Sequence, residues 1–261
     1  VVLAAVAQDS TAIQHAEPCR KRDVQCVLAA VSKNGLSLEF ADESARANRD
    51  VVIAAVRQNG NALARASPHL KADRDVVFVA VAQDSTSLKH ADATCKRDRG
   101  VVLAAVQQCG LALEYAEGGL RADRDVVLAA VAQNGNSLRF ADPTLRRDVG
   151  VVMRAVAQSG YWLDHADPVV KRNREVVTAA VTNYGMALKY ADDELKRDHA
   201  VVSAAISQNG MAIEFADASL KRHRDLVLAA VAQNGNALRH ADDATVKADR
   251  DVVLAAVSRY G

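Results

Sequence analysis

The sequence predicts an all-α protein, a solenoid of stacked short helices, and three observations carry that prediction. A segment of the type Asp125-Val126-Val127-Leu128-Ala129-Ala130-Val131-Ala132-Gln133-Asn134-Gly135 returns every 25 residues along the 261-residue chain. Val or Ala dominates repeat positions 1, 2, 5 and 6, a spacing that falls on one face at 3.6 residues per turn. Strand signals are missing, because the segments beside the Asn-Gly pairs do not alternate with period two and Ala-rich runs make poor strands.

With Val1 as position 1, repeats begin at Val1, Cys26, Val51, Val76, Val101, Val126, Val151, Val176, Val201 and Leu226, with a half-repeat from Val252. The expectation is a single array over 1–261, because in such an array each repeat touches only its neighbours and length does not count domains. Positions 1–6 form the longer helix. Asp or Asn at position 23 of the preceding repeat (Asp23, Asn48, Asp73, Asp98, Asp123, Asp148, Asn173, Asp198) caps its start, and His223 departs from the rule. Its end is expected at Asn34-Gly35, Asn59-Gly60, Asn134-Gly135, Asn209-Gly210 and Asn234-Gly235, with glycine supplying a left-handed residue. Ser10 and Ser85, standing where glycine is usual, should then be strained.

A short second helix follows, with Leu or Ile at position 13 and Ala at position 16 in all ten repeats. An alanine that never enlarges (Ala16, Ala41, Ala66, Ala116) signals close backbone approach between layers. Position 17 (Asp, Glu or Ser) then caps a third turn of helix, which opens with Pro18, Pro68, Pro143 or Pro168. One apolar anchor follows (Leu70, Leu120, Leu145, Leu195, Leu220), then Lys or Arg at position 21. The tenth repeat is one residue longer, and Val246 with Lys247 takes these two roles. Layers about 8–10 Å apart would make a curved rod of roughly 80–100 Å. Val1 within a helix and Gly261 closing one lack polar capping repeats. The expectation is a segment of something longer, or ends that contact one another or a partner.

The segments Asp123-Arg124-Asp125-Val126-Val127-Leu128-Ala129-Ala130-Val131 and Val101-Val102-Leu103-Ala104-Ala105-Val106, with their continuations to Asp142 and Glu117, resemble the tandem helical repeat called domain of unknown function 4116. The resemblance spans essentially the whole chain. It implies a repeat array of the kind found in algal proteins and some bacterial effectors, protein binding at most, and no catalytic residue to carry over.

Composition narrows the function. Thirty-three basic and thirty-two acidic residues give a formal charge of +1, so no global field draws in nucleic acid or an anionic membrane. Cys19, Cys26, Cys95 and Cys109 occupy four different repeat positions without a Cys-x-x-Cys pair, which argues against zinc or a disulfide framework and for an intracellular, reducing compartment. No run of 18 apolar residues exists, so membrane insertion is not expected.

His15, His90, His165 and His240 each precede Ala and an acid, which invites a metal or acid-base reading. They stand three repeats apart, roughly 25–30 Å at that layer spacing, and other repeats place Phe40, Phe140, Phe215, Tyr115 or Tyr190 there. A half-buried edge of the core explains the position better. Its three-repeat rhythm has two open origins, duplication of a three-repeat block or superhelical phase. Position 21, with Arg at position 24, forms a basic ladder interleaved with acids at 17, 23 and 25. It is therefore read as a self-neutralising solvated face and not a phosphate track. Gln at position 8 is read as bonding helix ends between layers.

The seventh repeat departs from the pattern. Arg154 replaces a small residue, and Tyr161-Trp162 follows Gly160 where position 12 is otherwise Ala or Ser. Trp162 must project outward or displace a neighbour, and an exposed Trp beside Tyr and Arg has hot-spot composition. The candidate partner-binding residues are Arg154, Tyr161, Trp162, His165, Tyr184 and Tyr190, with Asp164 nearby. Neither a catalytic, cofactor nor metal site is expected, since no Gly-x-Ser-x-Gly, His-Glu-x-x-His, phosphate loop or carboxylate pair occurs. The chain therefore reads as a non-catalytic interaction or scaffold module with a protein partner. The alternative is a linker subunit embedded in a large assembly, of an algal organelle for example.

Overall fold

The computed structural model describes residues 2–258. Helix accounts for 79% of the chain, and no strand occurs among the described residues. Val1 and Gly261, expected inside and at the close of terminal helices, lie outside the described residues. Two compact parts are distinguished, Val1–Gln133 and Asn134–Gly261, built on the same plan.

Each full repeat opens with a helix of about three turns, such as Arg49–Gln58 and Arg99–Gln108 in the first part and Arg174–Asn183 and His199–Gln208 in the second. The expected caps are in place: Asn48 accepts from the N–H groups of Asp50 and Val51, and Asp198 from those of Ala200 and Val201. His223 provides no side-chain cap. The apolar face is wholly buried, with Val51, Val52, Ala55 and Val56 at 0% exposure as one example.

The second helix, for example Gly60–Arg65 or Gly185–Tyr190, is a six-residue 3-10 helix that drives its position-13 Leu or Ile into the core at 0% exposure in the first nine repeats, Leu238 of the tenth being half-buried. Its start corrects the expected role of glycine. None of the repeat glycines Gly35, Gly60, Gly135, Gly160, Gly185 and Gly210 has positive φ; among the described residues only Gly118 and Gly119 do. A Cβ on Gly35, Gly60, Gly160, Gly185 or Gly210 would instead lie 2.0–2.4 Å from the carbonyl oxygen of Ala55, Ala80, Ala180, Ala205 or Ala230 in the next repeat. Glycine is there so that layers can touch through backbone. The same fact removes the strain expected at Ser10 and Ser85, which keep ordinary negative φ. The preceding Asn59 and Asn209 end the long helix in extended conformation and cap the 3-10 helix, accepting from Asn61 and Met211 N–H.

Gln at position 8 joins layers as expected: Gln58, Gln83 and Gln208 accept from the N–H of Gly35, Gly60 and Gly185 at 2.6, 2.5 and 2.6 Å. A backbone bond repeats beside it, the N–H of position 17 donating to the carbonyl of position 21 one repeat back, as in Ser67 to Arg46 and Asp192 to Lys171 at 3.0 Å each. That bond holds Ala41, Ala66 and Ala191, next to the donor, at 5% exposure with no room to enlarge. The third turn is α-helical in Glu43–Arg46 and Asp193–Lys196 and 3-10 in Leu145–Arg147 and Val170–Arg172. Asp42 and Asp192 cap it, whereas Glu17 and Ser67, expected to do so, make no side-chain cap. Val246 is the buried anchor of the tenth repeat.

The charge pattern is partly corrected. Position 21 is mostly half-buried: Lys171 donates to the Asp164 carbonyl at 2.8 Å, while Arg121, exposed like Lys247, is tied back to the carbonyls of Ala116, at 3.0 Å, and Glu114. The exposed ladder is made by position 24. Arg49 reaches Asp73 and Asp75, Arg99 reaches Asp123 and Asp125, and Arg224 reaches Asp249 and Asp251, at 2.6–3.3 Å. Each exposed pair contributes little, because water and salt screen it.

Candidate interaction surface of the seventh and eighth repeats

In a chain with one Trp, five Tyr and four Phe, Tyr161, Trp162, Tyr184 and Tyr190 form one group within the second part. Tyr161 lies at its centre, with ring centroids 5.3 Å from Trp162, 6.4 Å from Tyr184 and 5.7 Å from Tyr190, all edge-on. Tyr161 and Tyr184 are 41% and 36% exposed. Burial, with a hydrogen bond to Tyr161, pushes the Tyr190 phenol up to about 12, so it stays protonated and can donate.

Trp162 corrects the expectation of an outward-projecting hot spot. The half-buried indole stacks on His165 at 5.8 Å and 20°, and it covers Gly135. A Cβ on Gly135 would meet Trp162 Cδ1 at 2.5 Å and Nε1 at 2.8 Å, while the Ala155 carbonyl oxygen stands off at 3.2 Å. The long helix beneath ends early as a result, spanning Val149–Val156 where its neighbours run ten residues. Of the two alternatives read from the sequence, the neighbour is displaced, and that neighbour is a turn of helix.

His165 is half-buried with Nε2 3.1 Å from Asn136 Oδ1, and burial lowers its basicity, as it does for His90 and His240. His90, His165 and His240 are thus half-buried edge residues favouring the neutral form, and His15 is exposed. Arg154 does not join the group. It is exposed on the long helix, and among the described residues no hydrogen bond, ion pair or ring contact links it to the aromatic side chains.

A feature unread in the sequence lies beside this ridge. Met153, Val156, Ala157, Thr178, Ala179, Ala200 and Val201 line an open, mainly apolar groove of about 980 Å³, with Arg174, Glu175, Thr182 and Asn183 at its edges. Position 3 is Leu, Ile or Phe in the first six repeats and in the tenth, but Met153, Thr178 and Ser203 here. The lost bulk opens the groove, and the shortened helix contributes Val156 and Ala157 to its wall. The Thr182 hydroxyl donates to the Thr178 carbonyl at 2.8 Å, which satisfies it within its own helix. Groove and ridge are continuous: Asn183 accepts from the Gly160 N–H at 2.9 Å, and each of the two is followed in sequence by a tyrosine of the ridge.

The model of the family described as domain of unknown function (DUF4116) matches residues 1–44, 48–94, 98–146, 148–196, 173–221, 198–245 and 223–261. The chain belongs to the DUF4116 family. Several DUF4116 matches begin at position 23, the cap of the long helix, at 98, 148, 173, 198 and 223. No curated protein and no solved structure matches the chain. Among the described residues no helix is long and apolar enough to cross a membrane, and no group of three His, Cys, Asp or Glu residues is placed to hold a metal ion. The four cysteines are free, with Cys26 and Cys95 buried and their thiols pushed up by that burial.

Proposed function

We propose that the chain is a non-catalytic protein-interaction module whose contact surface is centred on the seventh and eighth repeats. The observation that carries this reading is the aromatic ridge. Exposed Tyr161 and Tyr184 are held edge to edge in an otherwise aromatic-poor surface and backed by the Trp162 and His165 stack. Rigid, amphipathic rings with little rotamer entropy to lose are the side chains that anchor protein interfaces. Tyr161 and Tyr184, not Trp162, supply the exposed anchors, and the Tyr190 phenol braces Tyr161 from behind.

A photo-crosslinking amino acid, benzoylphenylalanine, tests the assignment when placed at Tyr161 and, separately, at Phe78, an exposed aromatic of the first part. In extracts of the source cells a discrete protein adduct should form from position 161, weaken when Tyr184→Asn is added, and be absent from position 78. Equal labelling from both positions would defeat the reading.

A further inference from the structure

The charge ladder supplies a template for what the groove lacks. Where positions 24 and 25 carry their usual residues, the position-24 cation binds the position-25 carboxylate of the next repeat. Arg49 Nη2 lies 3.0 Å from Asp75, Arg99 Nη2 2.8 Å from Asp125, Arg224 Nη2 2.6 Å from Asp251 and His199 Nε2 3.0 Å from Asp225. At the groove two successive steps of this ladder are each half-empty. Glu175 should meet a base at position 149, but Val149 stands there, 38% exposed, and Glu175 makes no ion pair among the described residues. Arg174 binds Asp198, Nε and Nη2 donating at 2.9 and 3.2 Å, yet Ala200 replaces the second carboxylate. Arg174, Glu175 and Ala200 all line the groove.

One unanswered anion and one half-answered cation therefore stand side by side at the start of the helix Arg174–Asn183, lining an apolar groove whose position-3 side chains are reduced to Met153 and Thr178. We propose that the groove docks a segment of a partner protein that carries one or two large apolar side chains together with a cationic residue, which meets Glu175, and a carboxylate, which meets Arg174. The apolar side chains replace the missing position-3 bulk, and the charges complete the ladder from outside. This deepens the reading of the chain as an interaction module and rests on it. Helix-in-groove recognition works in this way, with apolar anchors supplying affinity and flanking charges setting orientation and register.

The ladder also provides variants that block the site without dismantling it, because each restores what other repeats contain. Thr178→Leu refills the floor, Ala200→Asp answers Arg174, and Val149→Arg answers Glu175. The probe is a phage-displayed library of random 12-residue peptides selected on the full chain, with individual binders then measured by fluorescence polarisation. Selected peptides should share an apolar pair accompanied by an acid and a base. Their affinity should fall at least tenfold with Thr178→Leu and several-fold with Ala200→Asp or Val149→Arg, while the melting temperatures of the last two variants stay at or above the parent's. Binders that ignore all three substitutions overturn the proposal, as does a selection that returns none. Binders lost with Tyr161→Ser but indifferent to the groove variants would overturn the groove assignment and leave the interaction-module reading standing.

Discussion

At Gly160 the 3-10 helix leans directly on the backbone of the next layer, with a Cβ there only 2.0 Å from the Ala180 oxygen; at Gly135, one repeat earlier, an indole stands between. The two junctions use the same glycine and the same hydrogen bond from its N–H to a position-8 side chain, Asn183 at 2.9 Å in one and Gln158 at 2.6 Å in the other. One side chain separates them. Where Trp162 enters, the Ala155 carbonyl withdraws, the long helix stops at Val156, and its freed end becomes a wall of the groove. The ridge and the groove are thus linked consequences of a repeat that accepted a residue too large for its position.

The sharpest way to break this comparison is to give both glycines a methyl group. Gly160→Ala pushes Cβ into backbone that cannot yield without moving a layer, and about 3 kcal/mol or more should be lost in urea unfolding. Gly135→Ala meets the edge of an indole that can shift, so roughly 1–2 kcal/mol is expected. Equal losses would mean that Trp162 does not separate the layers.

Trp162→Ala asks the converse. Removing a half-buried indole costs about 1–2 kcal/mol in lost contacts, but alanine is a usual residue at position 12, and the last turn of the long helix can then re-form against Gly135. The net loss should be under about 1 kcal/mol, with changed amide-exchange protection at Gln158 and Ser159, whose N–H groups both donate to the Ala155 carbonyl, at 3.0 and 3.3 Å, while the indole is present. Unchanged protection there would show that something other than the indole ends the helix.

Position 12 offers a smaller effect of opposite sign. Ser37, Ser87 and Ser137 are 0–1% exposed, and among the described residues their hydroxyls have no hydrogen-bond partner. Ala62 and Ala112 fill the same position with no polar atom to desolvate. Ser137→Ala should therefore stabilise by about 1 kcal/mol, read as a higher denaturation midpoint. A destabilised variant would imply that the hydroxyl is satisfied after all.

The repeat period, the buried Val and Ala face, the position-23 caps and the all-α class were legible in the sequence because each depends on residues close together within one repeat. What could not be read depends on pairs far apart. Asn-Gly at the end of a helix suggests a left-handed residue, and only the carbonyl of Ala55 or Ala230 in the next repeat reveals the other reason for glycine. Trp162 was visible as an oversized residue, but its seat is Gly135, a repeat away. Arg154 was grouped with the aromatics by nearness in sequence, and the long helix and the 3-10 helix carry them apart. The groove left a signal that was readable by comparing copies at positions 3, 24 and 25, where Thr178, Val149 and Ala200 replace Leu, Arg and Asp. The departures in that signal are losses of bulk and charge, which attract less notice than an added tryptophan.

The smallest expected effect concerns what His165 does that Tyr190, at the same position one repeat on, does not. Burial lowers the His165 pKa, so the folded state binds its proton less readily than the unfolded chain, whose histidine titrates near 6.5. The sign follows from linkage. Between the two values the unfolded state holds more protons, so stability rises with pH there; it is complete above about 6.5 and falls as the pH drops through the folded-state value. His165→Phe, the residue found at this position in Phe140 and Phe215, should flatten part of that decline, with His90 and His240 supplying the remainder. Denaturation midpoints of the two proteins should differ by a constant amount above pH 7 and converge, or cross in favour of phenylalanine, below pH 6. A constant difference down to pH 5 would mean that the imidazole stacked on Trp162 gains a proton as easily as one in water, and that the stack is too open to brace the ridge.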